Sequence, residues 1–171
     1  MRNLIVLNRG LVSPESRTYP DLHIIDSVFD VISDSITFVL SSEESQIIEV
    51  QQFHKTGNIS VLASFPINSK LINFIHFVDS NQLIFVFSNG DIVTATYNNN
   101  NNNNSNDTNG IDIDETIIEI VGSIDVGISA ALWSIDEETL AIITNENKLL
   151  LLSRVFEPIC EKLLDSSDIK I

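Results

Sequence analysis

The chain has 171 residues, 43% of them apolar and 19% charged, the composition of one folded domain or a piece of one. Nine Lys and Arg stand against 24 Asp and Glu, a formal net charge of −15 that argues against a nucleic-acid or anionic-membrane site built on electrostatic attraction. A single cysteine, Cys160, excludes an internal disulfide framework and a multi-Cys zinc site.

In chain order, Leu4-Ile5-Val6-Leu7 comes first and turns polar at Asn8-Arg9-Gly10. Four apolar residues fall short of the about 7–15 of a signal-peptide core. The longest apolar runs, such as Leu83–Phe87, are strand-sized and far below the roughly 18 needed to span a bilayer. The expectation is a soluble intracellular protein, cytoplasmic with the nucleus as a second compartment, and no membrane partner. Short runs rich in β-branched and aromatic residues predict strands at Ile36–Leu40, Ile47–Phe53, Ile59–Phe65, Ile72–Phe77, Leu83–Phe87 and Ile92–Tyr97. Four more follow at Ile117–Ile124, Ala130–Trp133, Leu140–Thr144 and Leu149–Ser153. Asn89-Gly90 between two of these runs predicts a hairpin with positive φ at both central residues. Asn145-Glu146-Asn147 plays a similar part later. The fold class is therefore all-β.

One tract breaks the pattern. Residues 98–110 run from seven consecutive asparagines into Ser105-Asn106-Asp107-Thr108-Asn109-Gly110. Such a sequence cannot bury apolar surface against its chain entropy, so residues 98–110 are expected to form a disordered insertion. Deleting it should change thermal stability little, because loop-closure entropy grows only logarithmically with length. Asp107, Asp112, Asp114 and Glu115 faintly resemble a calcium loop but lack its glycine and terminal Glu; a solvated loop is the better reading.

Beneath the strands lies a repeat. Asp34 to Asp79 spans 45 positions; Asp79 to Asp136 spans 57, or 44 with the 13 residues of the insertion set aside. Each unit reads as an apolar residue, a turn with Asp, a buried strand, a hairpin turn and another strand. A period of about 40–45 residues with roughly four strands is that of a propeller blade, since one such sheet cannot cover its own faces and must stack. The Trp-Asp pair of ordinary WD repeats is absent, with Thr96-Tyr97 and Ser153-Arg154 near its place. The expectation is a partial WD-repeat-like β-propeller of about three blades over residues 1–171. Closed propellers need at least four blades, so the chain is expected to be an N-terminal fragment of a longer protein or a truncated product.

No catalytic, cofactor-binding or metal-ligating constellation is read from the residues. His23, His54 and His76 fall in different repeats; His76 reads as a packed or edge histidine in a strand and His54 as a turn residue. Asp34, Asp79 and Asp136 are expected to hold tight turns by accepting from local backbone N–H groups. Glu43-Glu44 and Glu137-Glu138 are turn charges, Trp133 is expected in the packing between blades, and Cys160 as a small buried hydrophobe. Phosphate loops, Gly-x-Ser-x-Gly and Cys-x-x-Cys motifs are absent.

Several blocks carry a family resemblance: Met1-Arg2-Asn3-Leu4, Asp26–Asp30, Ile48–Phe53, Val61–Phe65, Gly90–Tyr97, and most specifically Gly122–Asp125 through Gly127–Ala131 to Trp133-Ser134 and Phe156–Ile159. The chain resembles the N-terminal part of the largest Elongator subunit, the IKAP family, in its fungal form, outside the Asn-rich tract. The resemblance implies a WD-repeat propeller in a longer, non-catalytic scaffold. Within that scaffold the propeller is followed by a second propeller and a helical region that dimerises, and the scaffold holds a catalytic subunit, an iron–sulfur radical-SAM and acetyltransferase-like protein, within the assembly that modifies wobble uridines of tRNA. It implies other Elongator subunits as partners, no cofactor, and no direct nucleic-acid contact from this segment. A propeller-fold hydrolase or lyase, whose inner strands would carry titratable groups, and a truncated product without independent function are the alternatives.

Overall fold

A computed structural model describes residues 14, 16, 18–31, 33–42, 44, 46–54, 57, 59–98 and 116–165. The Asn-rich tract after Asn98, the acids Asp107 to Glu115, Glu43 and Leu4–Leu7 lie outside the described residues. Twelve strands form three four-stranded antiparallel sheets, each built in chain order. The first sheet holds β1 (His23–Asp30), β2 (Ser35–Ser42), β3 (Ile47–His54) and β4 (Ile59–Pro66). The second holds β5 (Leu71–Phe77), β6 (Gln82–Phe87), β7 (Asp91–Thr96) and β8 (Ile117–Ser123). The third holds β9 (Ile128–Trp133), β10 (Thr139–Thr144), β11 (Lys148–Ser153) and β12 (Pro158–Leu163). Between sheets, the first strands approach each other, β1 with β5 and β5 with β9, so the blades converge on one side and splay on the other. This is the wedge geometry of a propeller, and the three expected blades are present.

Two strands escaped the sequence reading. In β1 the apolar alternation is broken by an irregularity between Ile24 and Asp26, and β12 opens on a proline, tolerated at the first residue of an edge strand. The repeats read from sequence are the central hairpins β2–β3, β6–β7 and β10–β11.

The backbone repeats more faithfully than the side chains. In each blade one residue of the second hairpin turn has positive φ: Gln46, Gly90 and Asn147. The carbonyl of each accepts from the residue that leaves the fourth strand: Ile67 N at 2.8 Å, Ile124 N at 3.0 Å and Leu164 N at 2.8 Å. The Asn89-Gly90 turn departs from the expected form. Three residues, Ser88 to Gly90, connect β6 and β7, and Gly90 alone has positive φ, the pattern of a three-residue loop with a glycine bulge. At φ 105, with a notional Cβ 2.0 Å from the Ile124 carbonyl oxygen, only glycine fits there.

Two apolar cores lie between the blades. Val39, Ile48, Val50, Leu62 and Phe65 of the first blade meet Phe74, Leu83, Phe85, Phe87, Val93 and Tyr97 of the middle one. Ile75, Phe77, Ile84, Val86 and Ile92 of the middle blade meet Ile128, Trp133, Leu140 and Ile142 of the third. Successive residues of β6 thus point into different cores, and a strand buried on both faces reads as an unbroken apolar run.

Candidate functional site

The first interface encloses a polar chain. Thr37 sits on β2 among Ile36 and Phe38, and its Oγ1 lies 2.8 Å from His76 Nδ1. His76 Nε2 is 2.7 Å from the Tyr97 hydroxyl. A neutral imidazole offers one donor and one acceptor, so one hydroxyl gives and the other receives. Burial pushes the His76 pKa down to about 4, only partly opposed by the negative charge of Asp30. Tyr97 is pushed up to about 12, first by burial and then by Asp30. Asp30 itself accepts from the Ser33 backbone N–H at 3.0 Å and from the Ser33 hydroxyl. Ser33 passes the chain to Ser35, and Gln52 Nε2 closes it on Ser35 at 2.9 Å. Thr37, His76 and Tyr97 thus bond one another, as do Asp30, Ser33, Ser35 and Gln52, which is what polar groups require to persist in or beside a core.

The second interface is an aromatic clamp. Trp133 meets Phe77 edge-on at 5.1 Å and Phe156 at 6.3 Å. The Arg154 guanidinium lies 4.1 Å from the centre of the Phe77 ring and bonds Asp79 at 2.6 Å, with Glu138 at 3.9 Å. Trp133 therefore takes the interblade place expected of it. Asp79 does not act as expected. Its chief partner is Arg154 of the next blade, which holds its carboxyl below the usual range, while its backbone contact with Ser80 is minor. Asp136 is the turn residue predicted, accepting from the Ser134 hydroxyl and the Glu138 N–H, which lower its pKa. Asp34 occupies a different place. Asp30 pairs with Ser35 and Phe77 with Gln82, so Asp34 is the fourth residue of its four-residue turn and Asp79 the second of the corresponding one.

The remaining residues scatter. His23 opens β1 and, with Asp26, Ser69 and Lys70, lines a cleft of about 620 Å³ between the first strands of the first two blades. His54 ends β3 rather than sitting in a turn, because the strand runs one residue beyond its last apolar position, Phe53. Cys160 is exposed on β12, not buried. It pairs with Leu151 on the outward face of the third sheet, against which no described strand packs. Among the described residues no three His, Cys, Asp or Glu lie close enough to hold a metal ion, and no helix is long and apolar enough to cross a membrane. Tyr97 and Arg154 were missed as network members. Arg154 had a signal: it is the first arginine after Arg17, directly following an apolar strand.

The family profile described as ELP1 first N-terminal beta-propeller matches residues 1–171. The chain belongs to that family. In this propeller family, Elongator complex protein 1 of Saccharomyces cerevisiae is 51% identical over the whole chain, and that of Schizosaccharomyces pombe is 26% identical over 94% of it. The chain spans 13% of the length of each of these curated relatives. Among solved structures, the β-propeller domain of Cps50 (Swd1) from Myceliophteria thermophila superimposes with a TM-score of 0.53 over 86% of this chain and 45% of its own, at 13% identity. That likeness shows the fold alone, and it agrees with the three blades of this Elongator propeller.

Proposed function

We propose that this segment is a non-catalytic docking body of an Elongator scaffold subunit, supporting wobble-uridine modification of tRNA from a cytoplasmic assembly. The observation that carries the reading is the match of the entire chain to the first-propeller family, with 51% identity to the Saccharomyces cerevisiae protein. The physical arrangement supports it. Thr37 bonds His76 across the first interface, while His76–Tyr97 and Gln52–Ser35 pair within their own blades, so these buried groups rigidify the body and are engaged with one another rather than with a substrate. A rigid fan of blades presents its rims as fixed surfaces, which is what positioning other subunits requires. The catalytic partner, radical-SAM and acetyltransferase-like, supplies the chemistry, and the acidic surface leaves tRNA contact to other parts of the assembly.

The test is replacement of the full-length protein in cells by a version lacking residues 1–171. Co-purification of the other Elongator subunits and modified nucleosides of bulk tRNA, measured by mass spectrometry, are the readouts. Loss of assembly together with loss of wobble-uridine modification is expected. Full assembly and full modification without this segment would overturn the reading.

A further inference from the structure

Exposed apolar residues cluster in three places on this fan. Two are explained by the arc itself: β1 and the third sheet belong to blades with a single neighbour, and further blades would cover their flanks. The third cluster is not. The fourth strand of the middle blade, β8, carries Ile117, Ile118, Ile120 and Val121, with Ile117 59% and Ile120 66% exposed. Among the described residues the middle blade has a neighbour on each face, and this strand is exposed all the same. By contrast, Leu62, Ala63 and Phe65 of β4, its counterpart in the first blade, are buried.

The backbone of β8 adds a second demand. One edge pairs with β7, from Asp91–Ser123 to Thr96–Ile117, and among the described strands nothing pairs with the other edge. A register shift between Ile92 and Val93 leaves Val121 outside the ladder, so Ile117–Ile120 is the regular stretch of that edge. A free edge with apolar side chains is a template for another strand, because only an extended chain meets both its backbone groups and its alternating side chains. The charge around it selects the sign of that strand. The described residues of the middle blade and of the linker to β9, 77–98 and 116–127, carry Asp79, Asp91, Glu119 and Asp125 and no Lys, Arg or His, and Glu119 lies within β8 itself. The cations that flank this stretch in the third blade are engaged, Lys148 with Glu161 and Arg154 with Asp79.

We propose that the free edge of β8 binds an extended, Lys- and Arg-bearing apolar segment of a partner protein, which adds to the middle blade as a fifth strand. The proposal rests on the scaffold reading above and names the rim by which the scaffold grips. Electrostatic complementarity would speed encounter, and the apolar side chains would set how long the pair persists.

A photo-crosslinking residue at position 118 or 120 of the full-length protein, in the assembled complex, tests this directly. Crosslinks from both positions to one short basic segment of another subunit are expected. Two charge variants sharpen the test: Ile120→Lys repels a basic strand, whereas Ile120→Glu keeps the attraction while losing the same side chain. Co-assembly should fall about tenfold further for Ile120→Lys than for Ile120→Glu, and the gap should narrow at high salt. Thermal melts of the variants check folding; crosslinking, which leaves the charge unchanged, stands where a melt is altered. Crosslinks only within this chain or to a second copy, or equal effects of the two charge variants, would overturn the edge proposal. If removal of residues 1–171 abolishes assembly while Ile120→Lys leaves it intact, the scaffold reading survives and the edge proposal falls. If neither change affects assembly, both fall.

Discussion

The two blade interfaces solve the same problem with different chemistry. Between the first and middle blades, a large apolar core encloses a hydrogen-bonded chain from Thr37 through His76 to Tyr97. Between the middle and third blades, the core is capped by Trp133, Phe77 and Phe156, with Arg154 laid over Phe77 and tied to Asp79. In the first the polar chain is buried, so its weak point is protonation of His76. The second ends at the surface, where its ion pair meets solvent and salt. A family of equivalent blades therefore does not need equivalent joints: the first pairs His76 with two hydroxyls, while the second leaves the buried Trp133 Nε1 without a partner among the described residues and is held by ring packing and the Arg154–Asp79 pair.

The largest expected effect falls on the second joint. In the full-length protein, Trp133→Ala should cost about 3–5 kcal/mol in denaturant unfolding, because it removes the ring that fills the space between blades. A near-neutral result would move that ring out of the core.

Acid should single out the first joint. His76 has a folded pKa near 4 against an ordinary 6.5, so between those values the unfolded chain binds more protons than the folded one. Stability is full above about pH 6.5 and falls as pH drops toward 4, by about 3 kcal/mol at most. His76→Gln should remove that dependence, while Trp133→Ala should leave it in place. Equal pH profiles for wild type and His76→Gln would break the distinction between the joints.

Three smaller effects refine the comparison. Gly90→Ala forces a Cβ against the Ile124 carbonyl at positive φ, and thermal unfolding should show a loss of more than about 1 kcal/mol. Asn147→Ala, at the equivalent turn with φ 59, should cost less. Arg154→Ala should cost about 1 kcal/mol, from the cation–π contact and a half-exposed ion pair, and the cost should shrink in high salt.

The strands were legible because their apolar runs are short, β-branched and separated by turn residues, and the Asn-Gly turn fell where a hairpin was expected. Trp133 was legible as interblade packing from its place at the head of a repeat. The recurrence of aspartates misled. Asp34, Asp79 and Asp136 are alike in type and spacing, yet Asp34 is two turn positions out of register and Asp79 reaches a residue 75 positions away. Sequence spacing counts residues along the chain, while equivalence between blades is set by strand pairing. Cys160 misled for a related reason: an apolar neighbourhood in sequence says nothing about whether a blade covers that face.

That this chain is all-β, that it repeats about every 40–45 residues, and which runs form the central hairpins are all legible along the chain, because those features depend on local preference and periodicity. Which face of each strand meets which blade, that His76 is buried between two hydroxyls, and that Ile117 and Ile120 of β8 are exposed in a blade with a neighbour on each face are visible only once the described residues are folded together. Burial and pairing across blades depend on residues tens of positions apart coming to share one space, and no local pattern carries that information.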